Sequence, residues 1–199
     1  MDVLSASRFD NKIAWYENDG SESFTAHTIS TTAADTTFVT TADVDGDGDI
    51  DVLSASVDDD KIAWYENDGN ENFTEHSIST IADEAVSVTT ADVDGDGDMD
   101  VLSASWNDDK IAWYENDGSE NFIEHTISTT ADGATSVTTT DVDGDGDIDV
   151  LSASNYDDTI AWYENDGSES FTAHTITTAA DGAHSVTTAD VDGDGDMDV

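Results

Sequence analysis

Four short runs of this chain concentrate carboxylates at a spacing that calls for a cation. Asp43, Asp45, Asp47, Asp49 and Asp51 occupy every second position over nine residues, with Gly46 and Gly48 among them. The run returns as Asp92, Asp94, Asp96, Asp98 and Asp100, as Asp141, Asp143, Asp145, Asp147 and Asp149, and as Asp190, Asp192, Asp194, Asp196 and Asp198. Each copy lies 49 residues after the last. Five like charges this close repel one another unless a cation holds them, and the glycines let the backbone wrap tightly around a small centre. Calcium takes about six to eight oxygens at roughly 2.3–2.6 Å, and an all-oxygen donor set favours it over softer metals. Within each run the side chains at positions 1, 3, 5 and 9 are expected ligands, and position 7 most simply offers its backbone carbonyl. The expectation is one Ca2+ per repeat, with a structural role: the ion cancels repulsion, fixes the turn and stabilises the fold by mass action. An EF-hand begins the same way but needs a glutamate at position 12. That position holds Ser54, Ser103 and Ser152, and the flanks read as strands, so an EF-hand is disfavoured.

The elements that present these loops follow from the 49-residue period. Trp15, Trp64, Trp113 and Trp162 keep it, as do His27, His76, His125 and His174. In one unit, Ser87 to Val93 is β-branched and leads into the acidic loop, and Asp100 to Ser105 leaves it. Lys110 to Glu115 follows a polar turn, Asn116, Asp117 and Gly118 form a hairpin turn whose residues accept φ > 0, and Phe122 to Ser128 is the fourth strand. No stretch carries a helical period. Four short strands joined by tight turns make one antiparallel meander. Its third strand is apolar on both faces, Ile111 and Trp113 alternating with Ala112 and Tyr114. Such a sheet must be covered on both sides, which radial stacking achieves. The predicted fold is all-β: a β-propeller of four 49-residue, four-stranded antiparallel blades, in preference to a β-solenoid, whose coils are usually shorter. The chain reads as one repeat domain, 1–199, with repeats near 1–37, 38–86, 87–135 and 136–184. Residues 185–199 then supply a closing strand and calcium loop, Ser185 to Val191 completing the blade formed by Val3 to Ser30. Four repeats can close alone, pair with a second chain into eight blades by blade sharing, or belong to a larger ring.

Charge narrows the partners. The 199 residues include 48 acids against Arg8, Lys12, Lys61 and Lys110, for a net charge of −44. There is no basic patch to meet nucleic-acid phosphates, and an anionic membrane surface is equally disfavoured. Four divalent ions carry eight charges and would bring −44 only to −36, so the remainder implies a solvated surface or a salty or calcium-rich setting. Acidity of this kind can signal disorder, but apolar and aromatic residues recurring at fixed positions, with five tryptophans in all, argue for a packed fold, and the absence of proline suits paired strands. There are no cysteines, which excludes disulfides and thiolate sites. No run is long and apolar enough for membrane insertion, and no signal peptide is visible. Met1, Asp2 and Val3 match Met197, Asp198 and Val199, so the chain opens in mid-repeat and reads as a piece of a longer protein.

The loop Asp-x-Asp-x-Asp-Gly-x-x-Asp, between a Val-Thr-Thr-Ala strand and an Asp-Val-Leu-Ser-Ala-Ser strand, resembles the FG-GAP or VCBS repeat, the family that includes the blades of the integrin α-subunit propeller. The segment Ile62 to Gly69 is similar to many such repeats in secreted and surface proteins. The resemblance covers all 199 residues. It implies calcium-stabilised blades, an extracellular or cell-surface location and roles in cell adhesion or ligand binding. It carries over the same five loop aspartates in each repeat as metal ligands. One departure is the count, since integrin-like propellers usually have seven blades and this chain has four repeats.

Other chemistry is less favoured. The repeated histidines and the Trp and Tyr pairs read as packing elements, and the Asn-Asp-Gly positions as turn chemistry. No nucleophile motif or phosphate-cradling glycine loop is present, so no catalytic residue is expected and the protein is not predicted to be an enzyme. Differences between repeats are more informative. One variable zone holds Arg8 and Phe9, Val57 and Asp58, Trp106 and Asn107, and Asn155 and Tyr156. The other holds Thr37 and Phe38, Val86 and Ser87, Thr135 and Ser136, and His184 and Ser185. Alternate connections of a meander lie on opposite edges, so these zones should share one rim, with the calcium loops on the other. The leading function is a non-catalytic module for a protein or glycan ligand. The alternatives are a purely structural repeat array and the propeller portion of a carbohydrate-active secreted enzyme.

Overall fold

The computed structural model describes all 199 residues, which form fifteen strands and no helix. The first sheet contains β1 (Val3–Ser7), β2 (Lys12–Asn18) and β3 (Phe24–Ser30). The second contains β4 (Thr36–Ala42), β5 (Asp51–Ser56), β6 (Lys61–Asn67) and β7 (Phe73–Ser79). The third contains β8 (Ala85–Ala91), β9 (Asp100–Ser105), β10 (Lys110–Asn116) and β11 (Phe122–Ser128), and the fourth β12 (Ala134–Thr140), β13 (Asp149–Ser154), β14 (Thr159–Asn165) and β15 (Phe171–Thr177). Each sheet is an antiparallel meander in chain order. The predicted strand from Ser87 to Val93 instead spans Ala85 to Ala91. Val93 leaves the ladder because its N–H is taken by the Asp100 carboxylate, 3.0 Å away.

The sheets stack in sequence, and each interface joins unlike faces. Leu53, Ala55, Ile62 and Trp64 of the second sheet pack against Val101, Ala112 and Tyr114 of the third. Leu102, Ala104, Ile111 and Trp113 of the third pack in the same way against Val150, Ala161 and Tyr163 of the fourth. This explains why the third strand of each repeat is apolar on both faces: its Ile and Trp go one way and its Ala and Tyr the other. Trp64 and Trp113, in sheets covered on both sides, are fully buried, whereas Trp15 and Trp162 are partly exposed. A register shift between Ile62 and Ala63 against β7 recurs in every sheet and sharpens the local twist.

One expectation is corrected. The C-terminal segment does not complete the first sheet, which has three strands in the order β1-β2-β3. Its only ladder contact is an isolated bridge from Ala189 to Asp198. Val186 N–H donates instead to Ser136 Oγ at 3.4 Å, and Thr135 Oγ1 donates to the Ala183 carbonyl at 3.1 Å, so the segment runs alongside β12. Ala183 and Val186 cover Leu151 and Ala153 of the fourth sheet. The uncovered apolar face of that sheet attracts the segment as each sheet attracts the next, and the stack continues instead of closing on β1.

Candidate functional site

The acidic loop of the second sheet joins β4 to β5 at one edge. Asp43, Asp45 and Asp51 each bring one carboxylate oxygen within 4.8 Å of the others. The corresponding groups are Asp92, Asp94 and Asp96, then Asp141, Asp143 and Asp149, then Asp190, Asp192 and Asp194. Short Asx turns shape the loop: Asp47 N–H donates to Asp45 Oδ1 at 3.1 Å and Asp49 N–H to Asp47 Oδ1 at 2.8 Å. Gly46 and Gly48 take φ of 74° and 96°, which only glycine adopts without strain.

The residues present fit a hard cation. Asp43 Oδ1 and Asp92 Oδ1 are shielded from solvent and receive no hydrogen bond, an arrangement that is unfavourable for a bare carboxylate. Burial pushes the Asp100 carboxyl up to about 6. Two backbone N–H donors, from Asn116 at 2.8 Å and Val93 at 3.0 Å, oppose that rise without cancelling it. The Trp113 indole N–H also faces Asp100 but lies outside hydrogen-bond geometry. Burial raises the Asp45 and Asp94 carboxyls as well, helped by neighbouring aspartates. A divalent ion among these oxygens would favour their charged forms. Asp43, Asp45, Asp47 and Asp51 and their equivalents would hold it with side chains. Its contribution would be charge neutralisation at an inter-strand turn.

Asp49 stands apart. Its carboxylate packs against the hairpin turn between β6 and β7, and a Cβ on Gly69 would overlap it. Asp98 with Gly118 and Asp147 with Gly167 repeat the contact. This leaves the backbone carbonyl as the ligand that position 7 has to offer. Because Gly118 also has φ of 71°, Gly118→Ala is expected to destabilise the protein by more than about 1 kcal/mol, read as a fall in the urea midpoint at unchanged slope.

Position 9 does more than its sequence suggests. Asp51 Oδ2 accepts Val44 N–H at 3.0 Å and its Oδ1 accepts Asn67 N–H at 2.8 Å, tying the loop to the hairpin turn. The asparagine extends the tie to the neighbouring sheet. Asn116 Nδ2 donates to the Val44 carbonyl at 3.1 Å, and Asn165 Nδ2 to the Val93 carbonyl at 3.0 Å. These asparagines are therefore inter-sheet pins as well as turn residues. The histidines occupy packing positions. His76 stacks on Trp64 with ring centroids 4.6 Å apart, and its Nε2 meets Glu66 Oε2 at 2.8 Å. The arrangement recurs in the other three repeats.

The variable zones converge at the opposite edge of the stack. Val57 and Asp58 N–H groups donate to the Asp35 and Ala34 carbonyls, which clamps the β5–β6 turn to the connection entering its own sheet. The same pairing recurs at Trp106 and Asn107 and at Asn155 and Tyr156. A cleft of about 430 Å³ opens there, lined by residues of all four repeats, among them Arg8, Phe38, Val86, Trp106, Ser136 and His184. Arg8 forms a two-point ion pair with Asp35, Nη2 to Oδ2 at 2.7 Å. Trp106 and Tyr156 meet edge to face at 4.9 Å, and Tyr156 and Phe9 are 63% and 97% exposed. The Tyr156 ring lies so close over Gly133 that a Cβ there would overlap it.

The fold and these loops define a class: a stack of four-stranded antiparallel sheets, each with an aspartate loop between its first two strands. The chain belongs to the FG-GAP-like repeat family, whose pattern matches residues 1–54, 43–103, 92–152 and 141–199. Among solved structures, the chain is similar to an Agrocybe aegerita lectin described as recognising non-reducing terminal N-acetylglucosamine, at TM-score 0.56 and 16% identity over 87% of this chain and 52% of that one. It is also similar to the V. cholerae biofilm matrix protein Bap1, at TM-score 0.59 and 18% identity over 94% of this chain and 28% of that one. The chain thus spans about half the length of the lectin and less of Bap1. No curated protein sequence matches it. No helix is long and apolar enough to cross a membrane.

Proposed function

We propose that the four sheets are successive blades of a calcium-stabilised propeller in an extracellular or surface protein, and that they act as a non-catalytic ligand-binding or adhesion module. The observation that carries this reading is the cleft of about 430 Å³, to which all four repeats contribute at the positions where they differ most. The opposite rim keeps every loop aspartate and glycine unchanged in all four copies. A rigid scaffold with one constant and one diversified edge is how recognition surfaces are commonly built. The lectin and the biofilm matrix protein, both of similar fold, support a glycan or protein ligand. The exposed Tyr156 and Phe9, with Trp106, offer the aromatic surfaces such a ligand can stack on.

The test is a glycan and protein array probed with the calcium-loaded protein, including glycans ending in N-acetylglucosamine. Trp106→Ala and Tyr156→Ala are each expected to weaken binding about tenfold or more, the loss of one aromatic contact worth about 1.4 kcal/mol. Their melting temperatures should stay close to that of the parent. Binding that survives both substitutions, or that maps to the aspartate rim, would overturn the assignment. If no ligand binds and calcium only raises the melting temperature, the protein is a structural repeat array instead.

A further inference from the structure

The two central sheets each carry a buried lysine held by two acids. Lys61 Nζ lies 2.7 Å from Glu75 Oε1 and 3.2 Å from Asp59 Oδ2. Lys110 Nζ lies 2.9 Å from Glu124 Oε1 and 3.3 Å from Asp108 Oδ2. Beside each, a buried tyrosine hydroxyl meets a serine: Tyr65 with Ser54 at 3.5 Å and Tyr114 with Ser103 at 3.4 Å. The fourth sheet keeps part of this arrangement. In the same register it has Thr159 in place of the lysine and Ala173 in place of the glutamate, while Asp157 and Tyr163 remain. A cavity of about 160 Å³ opens where the two long side chains would lie, and Asp157, Thr159, Tyr163, Ala173 and Ser154 line it.

Some polar groups of this cavity are satisfied, Tyr163 Oη by Ser152 Oγ at 3.3 Å and Thr159 Oγ1 by the Asp157 carbonyl at 3.0 Å, but the Asp157 carboxylate has lost the cation its equivalents hold. Asp157 forms no ion pair, whereas Asp59 Oδ2 and Asp108 Oδ2 each face a lysine; its Oδ1 is shielded without a hydrogen bond, as are Asp59 Oδ1 and Asp108 Oδ1. Ser154 Oγ, in a residue 1% exposed, has no partner, like Ser56 Oγ and Ser105 Oγ in the preceding sheets, but here it borders open space. Removing lysine and glutamate together leaves a single carboxylate facing the space, so one positive charge balances it. A calcium ion wants about six or more oxygens, more than one carboxylate and a few hydroxyls provide. An ammonium group needs only about three acceptors. The volume of about 160 Å³ is well above the roughly 10–15 Å³ that a single water requires, enough for a short alkyl chain.

We infer that the cavity between the fourth sheet and the connection entering it at Thr130 and Ala131 binds a primary alkylammonium group, with Asp157 as its counter-ion and the space vacated at Thr159 and Ala173 taking its carbon chain. The ligand is the piece of chemistry that Lys61 and Lys110 supply from within the chain in the two preceding sheets.

The experiment titrates n-butylammonium chloride into the calcium-loaded protein at constant ionic strength, followed by heteronuclear NMR. The expected result is one saturable site with shifts confined to residues around Asp157 and Tyr163. Asp157→Asn should weaken it at least tenfold. The double substitution Thr159→Lys with Ala173→Glu copies the second and third sheets. It should abolish binding and raise the melting temperature, which shows that the loss is not unfolding. Titration with Nα-acetyl-lysine amide separates the two sources of the group. Tighter binding than butylammonium assigns a lysine of a polypeptide, the reverse order assigns a free amine, and either supports the site. Unsaturable binding, equal binding by the variants, or equal competition from sodium would overturn the inference, because each describes general attraction to an acidic surface.

Discussion

Removing calcium should lower the melting temperature by about 20 °C or more. An ion at 100 times its dissociation constant stabilises the folded state by about 2.7 kcal/mol, and four independent loops would together contribute about 11 kcal/mol on that basis. In a chain of this size each kcal/mol moves the midpoint by about 2–4 °C. The physical source is the density of charge: each loop holds five aspartates in nine residues, and solvent-shielded oxygens such as Asp43 Oδ1 and Asp92 Oδ1 lack a donor. The pins from Asn116 to Val44 and from Asn165 to Val93 carry a loop's disorder into the next sheet, so the loss should spread beyond the loops themselves. Differential scanning calorimetry with calcium, with a chelator, and with magnesium as a control for general screening measures the effect. Isothermal titration should count about one ion per loop, and Asp45→Asn should remove or weaken one of them. A melting curve indifferent to calcium, or an unchanged ion count in Asp45→Asn, would show that the aspartates do not act as ligands.

The second large effect concerns Trp15, Trp64, Trp113 and Trp162, which share one position of the repeat but differ in burial. Trp113→Ala should destabilise the protein by about 3–5 kcal/mol, in the range expected when a large buried aromatic is replaced by alanine. Trp113 is fully buried between the third and fourth sheets, with His125 stacked on it at 4.6 Å and Phe171 edge-on at 6.4 Å. Trp64→Ala should behave alike, since Trp64 is equally buried against the third sheet. Trp15 and Trp162 are partly exposed in the first and last sheets, so a solvent-filled space replaces part of the cavity and the loss should be smaller. Urea unfolding of the four variants in saturating calcium compares them directly. Equal losses at all four positions would mean that the end sheets are covered as fully as the central ones.

Much of the fold was legible in the sequence because the repeat shows each rule four times. β11 runs from Phe122 to Ser128 and β9 from Asp100 to Ser105, as expected from their β-branched pattern and flanking turns. The convergence of the two variable zones was also legible, since alternate turns of a meander must share an edge. The dual work of Asp51 and Asn67 was not. A carboxylate that ligates and one that accepts two backbone N–H groups look alike in sequence, and an asparagine in a hairpin turn does not reveal a bond to the next sheet. The lysine sites were missed although a signal existed: Lys61 and Lys110 pair with Glu75 and Glu124, and the fourth repeat loses both members together.

By itself the sequence determined the period, the strands, the aspartate loops and the rim on which variation collects. These depend on local chemistry: side-chain alternation, turn residues and the mutual repulsion of neighbouring carboxylates. Only the tertiary structure decided where the C-terminal segment goes, which tryptophans are fully enclosed, and that a cavity opens beside Asp157. Each of these depends on what covers a given face. Residues that are identical in the repeat acquire different surroundings once one sheet has two neighbours and another has one.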